Sequence, residues 1–513
     1  MYINPEPKNR FGKFAIKDEL YYRNEIYMDN IEDWDLYTLI QKSGKDLIKY
    51  SLYQHPTESD TNYIARLRDG YVFNFGKAIV DIFNFYLNGK DVVRSMSPLK
   101  SDPQWKLFEK DADLAGTNYT VLIDEAQKIA SALGAVGMLV NKPQGVSGEG
   151  LTKLDEMKYG VYPYYSLYSL QNIFDWVWTK SKISHRRVLT FLKLRESDGT
   201  FTIWTPESWE QWRLDPKTNI PKRFNQGINP LGEIPFCWMK NLTDLTHPEI
   251  GVSDLIDISR IVTSIAQNLS CGEEMIKLAG FPIRREPQEQ QDLILQQPIE
   301  DTTSNTGPRA VETFDPTFGK DGKPDWMPTE ILEPVDATLK WIDRKTDEIY
   351  RIAHLSGVHG QRKSNNEVSS GMAIRYEFSQ LNAVMNAKAI NQTEAELQCI
   401  RYWVMWQRNA NWFDQIEIKR ATDFSIDEMA IALDNAITSM ANVASRTFRC
   451  AVQKKISGSV LPDMTQEEKA KVVQEIESNT PEKIDIDFNG KNSTDSNLVR
   501  NAIQSNADHS KDE

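Results

Sequence analysis

Two stretches with the spacing of amphipathic helices bracket a segment rich in proline and glutamine, and this order constrains the fold more than any other feature of the chain. Within residues 250–279 and 335–355, selected positions recur three and four residues apart, which places them on one face of a helix. These positions are Leu255, Ile258, Val262, Ile265 and Leu269 in the first stretch, and Val335, Leu339, Ile342, Thr346, Ile349 and Ala353 in the second. A chain that leaves one long helix and returns on another builds a protruding module on a helical stalk.

The starts of both helices carry their own signals. Ser253 has a side chain that caps helix N-termini well, and Pro334 suits a first turn, where its missing N–H costs nothing. Two core helices of any globular protein would show the same periodicity. The flanking loops therefore have to distinguish a helical stalk with a protruding module from two ordinary core helices.

Length and composition describe an ordinary globular chain with more than one packing unit. Its 513 residues exceed what one hydrophobic core sustains, and 40% of them are hydrophobic and 26% charged. No apolar run approaches the roughly 20 residues that cross a bilayer, and the first residues lack the apolar centre of a signal peptide. We therefore expect a protein made in a cytoplasm, with no membrane partner.

Metal and cofactor chemistry has little support in the sequence. The four cysteines are far apart, and the six histidines show no pair at ligand spacing beside acidic partners. The cysteines are Cys237, Cys271, Cys399 and Cys450. We predict no disulfide framework, no metal site and no cofactor.

The charge balance disfavours tight, nonspecific binding of nucleic acid. Against 73 acidic residues stand 60 basic ones, and the formal net charge of −13 repels a polyanion over most of the surface. Such a surface is compatible with a protein that does not bind DNA, and equally with a channel through which DNA moves with only weak contacts.

The part of the chain before the stalk mixes helices with one β-rich lobe. The pattern predicts a helix over residues 58–87 that ends in a left-handed cap at Gly89, and a helix over 117–133 that leads into a buried strand at 135–140. Alternating residues over 187–239, with a hairpin turn at 197–199, predict the β-rich lobe. Several tryptophans lie in or beside this lobe, and such residues fill cores and interfaces more often than they hold a sugar or a base.

The excursion between the stalk helices and the loop after them are the most unusual segments. Prolines interrupt residues 281–328, and since a structureless loop of that length is rare in a compact fold, we expect a small α/β module with its own partners. The following loop carries glycines, amides and two cations, Arg362 and Lys363, which predicts exposure to a polar surface.

The remainder of the chain is predicted to be helical until its tail. A long helix is expected over residues 369–408, and capping-box patterns predict helices over 426–455 and 466–478. Residues after Pro481 hold few large apolar side chains, which predicts a disordered tail.

Several short patterns, in this order, resemble the portal proteins of tailed bacteriophages. They run over residues 55–67 with Tyr63, Arg66 and Leu67, over 132–143, over 162–164 with Ile173 and Trp176, over 194–196 and 229–236, over 248–280 with Pro282, over 332–334, and from Ser369 to Gly371. No one of them is specific, but the ordered set covers residues 55–410.

The resemblance implies a ring of identical subunits, twelve in that family, at one capsid vertex of the virion. Double-stranded DNA would be packaged and later ejected through its channel, and the expected partners are the major capsid protein, the terminase large subunit and a head–tail adaptor. It also implies an α+β, mostly helical fold with a wing, a helical stem, a small α/β clip and a helical crown. In this sequence the resemblance assigns residues 1–250 and 370–425 to the wing, 251–279 and 334–355 to the stem helices, 280–333 to the clip, 356–369 to a tunnel loop and 426–480 to the crown. Composition separately predicts the disordered tail over residues 481–513.

The resemblance and the spacing together select three sets of residues. The DNA-facing tunnel loop would comprise His359, Gln361, Arg362, Lys363, Ser364, Asn365 and Asn366. Stem packing would use Leu255, Ile258, Val262, Ile265, Leu269, Leu339, Ile342 and Ile349, and the clip would use Phe281, Pro282 and Trp326. No catalytic residue is assigned.

Two other classes of function stay open. A carbohydrate-active or other hydrolytic enzyme would combine the tryptophans with neighbouring acids such as Asp124 and Glu125, or Glu273 and Glu274, although adjacent acids on a helix point in different directions. A low-order binding scaffold of helices and a β lobe is the second alternative.

Overall fold

A computed structural model gives the architecture of the protein. It describes residues 17–56, 58–89, 92–143, 153–182, 185–280, 284–287, 311–314, 325–326, 332–355, 371–421, 424, 446–447, 450–451, 453–454 and 466–479. The chain divides into two compact units, residues 1–424 and 425–513. The described part is mixed α+β with more helix than strand, as predicted. Among the described residues, no helix has the length and apolar character needed to cross a bilayer.

Five helices open the first unit. They are α1 (Lys17–Leu20), α2 (Glu25–Lys42), α3 (Lys45–Ser51), α4 (Asp60–Asp69) and α5 (Phe75–Asn88). The single helix predicted over residues 58–87 is wrong, because the chain is extended at Gly70 and a new helix begins after Asn74, whose side chain accepts a hydrogen bond from the Lys77 N–H at 3.0 Å. The left-handed cap predicted at Gly89 is also wrong, since its φ is −72°.

A helix-to-strand junction follows, close to the prediction. The elements are β1 (Val93–Ser95), α6 (Ser97–Lys100), α7 (Pro103–Lys110), α8 (Tyr119–Leu133) and β2 (Ala135–Asn141). Asn118 caps α8 by accepting from the Thr120 N–H at 2.9 Å. Gly134 joins α8 to β2 at a φ of +101°, and a Cβ there would lie 2.8 Å from the Ile250 carbonyl oxygen, so a glycine is required.

Two antiparallel sheets lie at the centre of the first unit. After α9 (Lys153–Tyr159), strand β3 (Tyr164–Ser169) pairs with one side of β2, and β9 (Phe236–Lys240) pairs with the other. The second sheet has the strand order β4-β5-β6-β7-β8, and its members are β4 (Ile173–Lys180), β5 (Arg187–Arg195), β6 (Phe201–Trp204), β7 (Ser208–Leu214) and β8 (Pro221–Ile228).

The β-rich lobe is confirmed, with corrected limits. The hairpin between β5 and β6 turns at Gly199, whose φ is +81°. The sheet begins at Ile173 rather than at residue 187, and it ends at Ile228, because residues 236–240 pair with β2 in the other sheet.

The second half of the unit contains the helices on which the functional prediction depends. The elements are α10 (Ser259–Gly280), β10 (Arg284–Pro287), β11 (Val311–Phe314), β12 (Asp325–Trp326), α11 (Leu332–Ile352), α12 (Gly371–Trp406) and β13 (Glu417–Lys419). The prediction that the first stem helix starts near residue 251 is wrong, because residues 254–258 form turns. Ser253 caps those turns by accepting from the Leu255 N–H at 3.0 Å. The long helix predicted over 369–408 is confirmed as α12.

Of the second unit, α13 (Gln466–Asn479) is described, and it confirms the helix predicted over 466–478. Most of the helix predicted over 426–455 lies outside the described residues, as does the whole tail beyond residue 480.

Two hydrophobic clusters form the core of the first unit. The larger joins α2, α7, α8, the two central sheets and the end of α12, and its largest fully buried side chains include Trp105, Trp204 and Trp403. Most tryptophans therefore fill the core, as their size favours. The smaller cluster joins α5, α10, α11 and α12, and it supports the base of the helix pair.

Candidate functional site

Helices α10 and α11 form an antiparallel pair. Near its base, Lys345 Nζ donates to Ser264 Oγ at 2.7 Å, and farther along α10 a Cβ on Gly272 would lie 3.9 Å from Thr338 Cγ2. From one contact to the next, the residue number rises on α10 and falls on α11, so the two helices run in opposite directions. The strands β10, β11 and β12 lie between the two helices in the sequence, at the end of the pair away from Ser259 and Ile352. At about 1.5 Å per residue, α10 alone extends about 33 Å.

The base of the pair is held by a core within one subunit. Residues from four helices share the smaller cluster, and they include Ile79, Phe83, Leu87, Ile258, Val262, Ile265, Leu269, Ile342, Ile349, Leu381 and Met385. Every predicted stem-packing residue except Leu339 is buried, although Leu255 belongs to the larger cluster. The spacing in the sequence therefore located the packing face, and that face packs against α5 and α12 of the same chain.

Leu339 is not buried within one chain, since its side chain is 52% exposed, so its role in stem packing stays a prediction. Over residues 271–277 of α10 and 333–341 of α11, all of which the structure describes, no side chain is buried. Over these described residues, the half of the helix pair nearest the β strands is therefore partly or fully exposed.

This open half carries large apolar side chains. Ile276, Leu339 and Trp341 are each about half exposed, at 52%, 52% and 50%. Lys345 Nζ lies 5.5 Å from the centre of the Trp341 ring, and burial lowers the pKa of Lys345. Ile276 lies on α10, and Leu339 and Trp341 lie on α11. Exposed apolar side chains mark a contact surface where they form a contiguous patch.

Helix α4 braces α10 from the side. The Arg66 side chain is 4% exposed; it donates to Ser270 Oγ at 3.1 Å and forms an ion pair with Glu58 at 2.8 Å. The hydrogen bond from Arg66 lowers the pKa of Glu58. Farther along, the Tyr71 hydroxyl donates to Glu273 at 2.8 Å. The sequence did not predict these contacts between α4 and α10. The one local indication of them was Arg66, a charged residue among the apolar positions of a helix.

A buried ion pair joins the base of α10 to α12. Lys388 Nζ lies 2.5 Å from Asp254 Oδ2, and the two side chains are 0% and 4% exposed. Asp254 also accepts hydrogen bonds from Asn241, at 2.9 Å, and from Ser131. The Lys388 ammonium lies 4.1 Å from the centre of the Phe83 ring, and burial lowers the pKa of Lys388. The pair fixes the segment that leads into α10 to the helix α12.

A second buried network fixes the middle of α12. The Glu396 carboxylate accepts from Arg94 at 2.7 Å, from the Tyr119 hydroxyl at 2.5 Å, and from Arg420. Burial opposes ionisation of Glu396, yet the charges of Arg420 and Arg94 outweigh it and hold its pKa below the usual value. Because Arg94 lies on β1 and Arg420 directly follows β13, the network ties that two-stranded ladder to α12.

The predicted clip contains a three-stranded sheet among its described residues. Strand β10 pairs parallel with β11 and antiparallel with β12, and Trp326 stands opposite Arg284 in the register. Phe281 and Pro282 lie outside the described residues. So does the whole predicted tunnel loop, namely His359, Gln361, Arg362, Lys363, Ser364, Asn365 and Asn366. Its anchors are described: α11 ends at Ile352 and α12 begins at Gly371.

Two of the acids weighed for hydrolytic chemistry are hydrogen-bonded to neighbouring side chains. Glu273 accepts from Tyr71, and Glu274 accepts from Lys277 at 3.0 Å. Asp124 is half-buried and its pKa is raised by that burial. Within the part of the chain that the structure describes, no three histidine, cysteine or acidic residues come together as metal ligands, and the four cysteines are free thiols.

Comparison with known proteins adds no assignment. No protein-family model matches the sequence, and no curated protein matches it significantly.

Proposed function

We propose that this chain is the subunit of a phage portal: copies form a ring at one vertex of a capsid, and double-stranded DNA enters and leaves through its channel. The observation that carries the proposal is the antiparallel pair α10–α11, braced at its base, open toward its tip, and connected there through a small sheet. The ordered resemblance to portal proteins in the sequence supports the same function.

Ring formation accounts for the exposed apolar residues on the open half of the pair. Ile276, Leu339 and Trp341 need a covering surface, and the flank of the next helix pair offers one of matching length. When one face of a subunit binds a different face of the next copy, repetition closes into a ring if the rotation per subunit is right. The stem helices of neighbouring copies would then stand around the axis.

The two buried charge networks support this geometry. In a closed ring, an error in the angle between stem and wing repeats in every subunit, so the angle has to be fixed. Lys388 with Asp254 fixes the base of α10, and Glu396 with its arginines fixes the middle of α12. Buried ion pairs contribute little net stability but define one geometry, because breaking them leaves an uncompensated charge.

The charge distribution is compatible with a DNA conduit. A net charge of −13 keeps phosphates from adhering to most of the surface. The loop between α11 and α12 supplies two cations, Arg362 and Lys363, which we assign to weak, transient phosphate contacts. The sheet at the tip of the pair would meet the terminase motor and later the adaptor, and the remaining α+β body would meet the capsid.

The carbohydrate-active alternative has one structural observation in its favour. A groove of about 1020 Å³ lies beside Trp204 and Trp209, whose ring centres are 6.3 Å apart, and Glu196 and Asp198 also line it. However, hydrogen bonds from Thr200 lower the pKa of Asp198, and Glu196 already accepts from Tyr168 and Thr202. Asp198 therefore lacks the raised pKa of a general acid, and the Glu196 carboxylate is already hydrogen-bonded, so we place this function second.

Imaging of the purified protein tests the proposal. Negative-stain electron microscopy and mass photometry, across a range of salt and protein concentrations, should reveal closed rings with a central hole and a mass many times the 58.9 kDa of one chain. Particles that stay at 58.9 kDa, or a small multiple of it, under every condition would overturn it. Hydrolytic turnover of glycans that co-purifies with the chain would favour the second candidate.

A further inference from the structure

The groove beside Trp204 and Trp209 lies between the two central sheets and has a volume of about 1020 Å³. Strand β3 and the end of β2 line one wall, and β6, β7, β8 and the hairpin between β5 and β6 line the other. The Tyr168 hydroxyl of β3 donates to Glu196 at 3.0 Å, which joins the two walls. Sites for small ligands measure about 300–1000 Å³, so this groove has room for a ligand of several rings. None of the contacts assigned to ring formation uses it.

Trp209 is a partly exposed aromatic ring in the wall of this groove. Its ring centre lies 6.3 Å from that of the buried Trp204, at an interplanar angle of 33°. The residue directly opposite Trp209 on β8 is Gly227, and since opposed residues of an antiparallel pair point to the same face, no side chain from that position covers the indole. A glycine inside a strand often marks a place where a ligand approaches closely. Phe224 also lines the groove, but the Arg213 guanidinium lies 5.0 Å from its ring centre, so Trp209 is the ring left for a ligand to stack on.

Two side-chain amides on the same wall retain unused donors. Asn225 Nδ2 donates to Gln211 Oε1 at 3.0 Å, and Asn225 Oδ1 accepts from the Gln226 N–H at 3.0 Å. Among the residues that the structure describes, both N–H groups of the Gln211 amide and the second N–H of the Asn225 amide are therefore without an acceptor. Gln211 is partly exposed and Asn225 is exposed, so a ligand can reach these donors. Further neutral polar side chains in the lining are those of Asn141, Ser166, Ser197 and Gln226.

The charges that line the groove are acceptors rather than donors. The ammonium of Lys142 is ion-paired with Glu156 at 2.7 Å, which leaves the carboxylates of Glu196 and Asp198. Asp198 accepts through Oδ1 from the Thr200 N–H at 2.9 Å and from the Thr200 hydroxyl at 2.7 Å. Asp198 Oδ2 has no donor among the described residues, and an ionised carboxylate donates no hydrogen bond itself. The groove therefore presents acceptors near the hairpin and donors on the amides of β7 and β8.

A ligand that fits this groove has to donate to carboxylates, accept from amides and lie flat on an indole. An anion is repelled by the carboxylates and gives them no donor, and a cation gives the amides no acceptor. A hydroxyl group both donates and accepts, and the C–H face of a sugar ring is attracted to the negative face of an indole. We propose that the groove binds a short neutral oligosaccharide without hydrolysing it, with one sugar stacked on Trp209 and hydroxyls bonded to Gln211, Asn225 and Asp198. The site is independent of the ring, whose proposed contacts lie on α10 and α11.

Saturation-transfer NMR with the full chain tests the proposal, because it observes the ligand and works for a single subunit and for a large ring alike. The neutral probes are maltotriose, cellotriose and triacetylchitotriose. The comparison probes are chitotriose at mildly acidic pH, which is cationic, trigalacturonate, which is anionic, and N-acetyl-triserine amide, which has donors and acceptors but no C–H ring face. We expect at least one neutral trisaccharide to bind saturably at millimolar concentration, at least about tenfold more tightly than any comparison probe. Chromatography of the recovered sugar should show that it is intact.

Variants separate the stacking ring from the hydrogen-bond donors. Trp209→Ala removes the ring and Gln211→Ala/Asn225→Ala removes the amides, and each should weaken binding of the neutral sugar at least about tenfold. Gly227→Val should weaken it as much, because the new side chain would cover the indole; Gly227 lies in β8 without a left-handed φ, so a valine fits the strand. Tyr159→Ala removes an aromatic side chain that is 67% exposed outside the groove, and this control should bind as the wild type does. Circular dichroism melts report whether each variant is folded, and Gly227→Val carries the test if Trp209→Ala does not fold.

Four outcomes would overturn the proposal. They are the absence of saturable binding by all three neutral sugars, equal or tighter binding of a comparison probe, undiminished sugar binding in folded Trp209→Ala or Gly227→Val, and cleavage of the bound sugar, which would favour the hydrolytic candidate instead. None of these outcomes bears on ring formation, which imaging tests separately.

Discussion

Lys388 and Asp254 are 134 residues apart in the sequence, yet their charged atoms lie 2.5 Å apart. Both side chains are almost completely shielded from water. The lysine lies on α12, and the aspartate is the first residue of the turns that lead into α10. Because the smaller hydrophobic cluster contains residues of both helices, this pair lies where the base of the α10–α11 pair meets α12.

Lys388→Met should destabilise the subunit strongly, because it leaves the Asp254 charge buried without a cation. We expect a loss of about 3–5 kcal/mol in the free energy of unfolding, measured by urea denaturation. The double variant Lys388→Met/Asp254→Asn should recover part of that loss. Lys42→Met, which removes a pair exposed at 67% and 58%, is the control and should change little. Equal effects of the two single variants would contradict the buried pair's role.

The Glu396 network predicts how stability depends on pH. The pKa of Glu396 in the folded chain is below its ordinary value of 4.5, so the unfolded chain binds the proton more readily. The stabilisation is therefore complete above pH 4.5 and is lost as the pH falls through the lower, folded pKa. In urea titrations from pH 6 to about pH 3, Glu396→Gln should show a shallower loss of stability than the wild type. If the stability of Glu396→Gln and of the wild type fell equally with pH, other carboxylates would account for the pH dependence of stability.

Much of the architecture could be predicted from local signals. The strand Ala135–Asn141, the hairpin at Gly199 and the long helix α12 follow from apolar runs, turn residues and period, which are properties of neighbouring positions. The break between α4 and α5 was missed because glycine is tolerated inside helices often enough that Gly70 did not decide between a kink and an end.

The candidate site was predicted less completely, for a physical reason. Periodicity identifies the face of a helix that is buried, but it does not reveal how far along the helix the covering elements reach, and Leu339 is exposed for that reason. The pairing of Lys388 with Asp254 and the brace from Arg66 to Ser270 depend on tertiary contacts between distant segments, which no local pattern encodes.

Ile265 provides a test that separates folding from assembly. The side chain is 0% exposed within one subunit, so Ile265→Asp should disrupt the fold itself, with a loss of several kcal/mol, rather than only the ring. Ile265→Val removes one methylene from the same site and should cost about 1 kcal/mol while rings persist. Circular dichroism melts and mass photometry of both variants check this. A folded Ile265→Asp subunit that fails only to assemble would place Ile265 at a subunit interface instead.

The loop cations give a test of DNA handling. Reversing the charges with Arg362→Glu/Lys363→Glu should leave ring assembly intact and lower the amount of DNA that packaged heads retain, because phosphates passing the loop would meet repulsion. The charge-preserving swap Arg362→Lys/Lys363→Arg is the matched control and should package normally. The measurement is nuclease-protected DNA per head in a packaging reaction. Wild-type retention by the reversed variant would remove these two residues from the channel's function.

The open half of the helix pair gives the most direct test of the assembly surface. Leu339→Asp/Trp341→Asp should abolish rings, because each charge would have to be desolvated against the neighbouring subunit. Since both side chains are about half exposed in the single subunit, the fold should survive with a nearly unchanged thermal midpoint. Leu339→Ile/Trp341→Phe keeps the surface apolar and should still assemble. Electron micrographs and sedimentation velocity distinguish the cases, and rings formed by the doubly charged variant would place the subunit contact elsewhere on the chain.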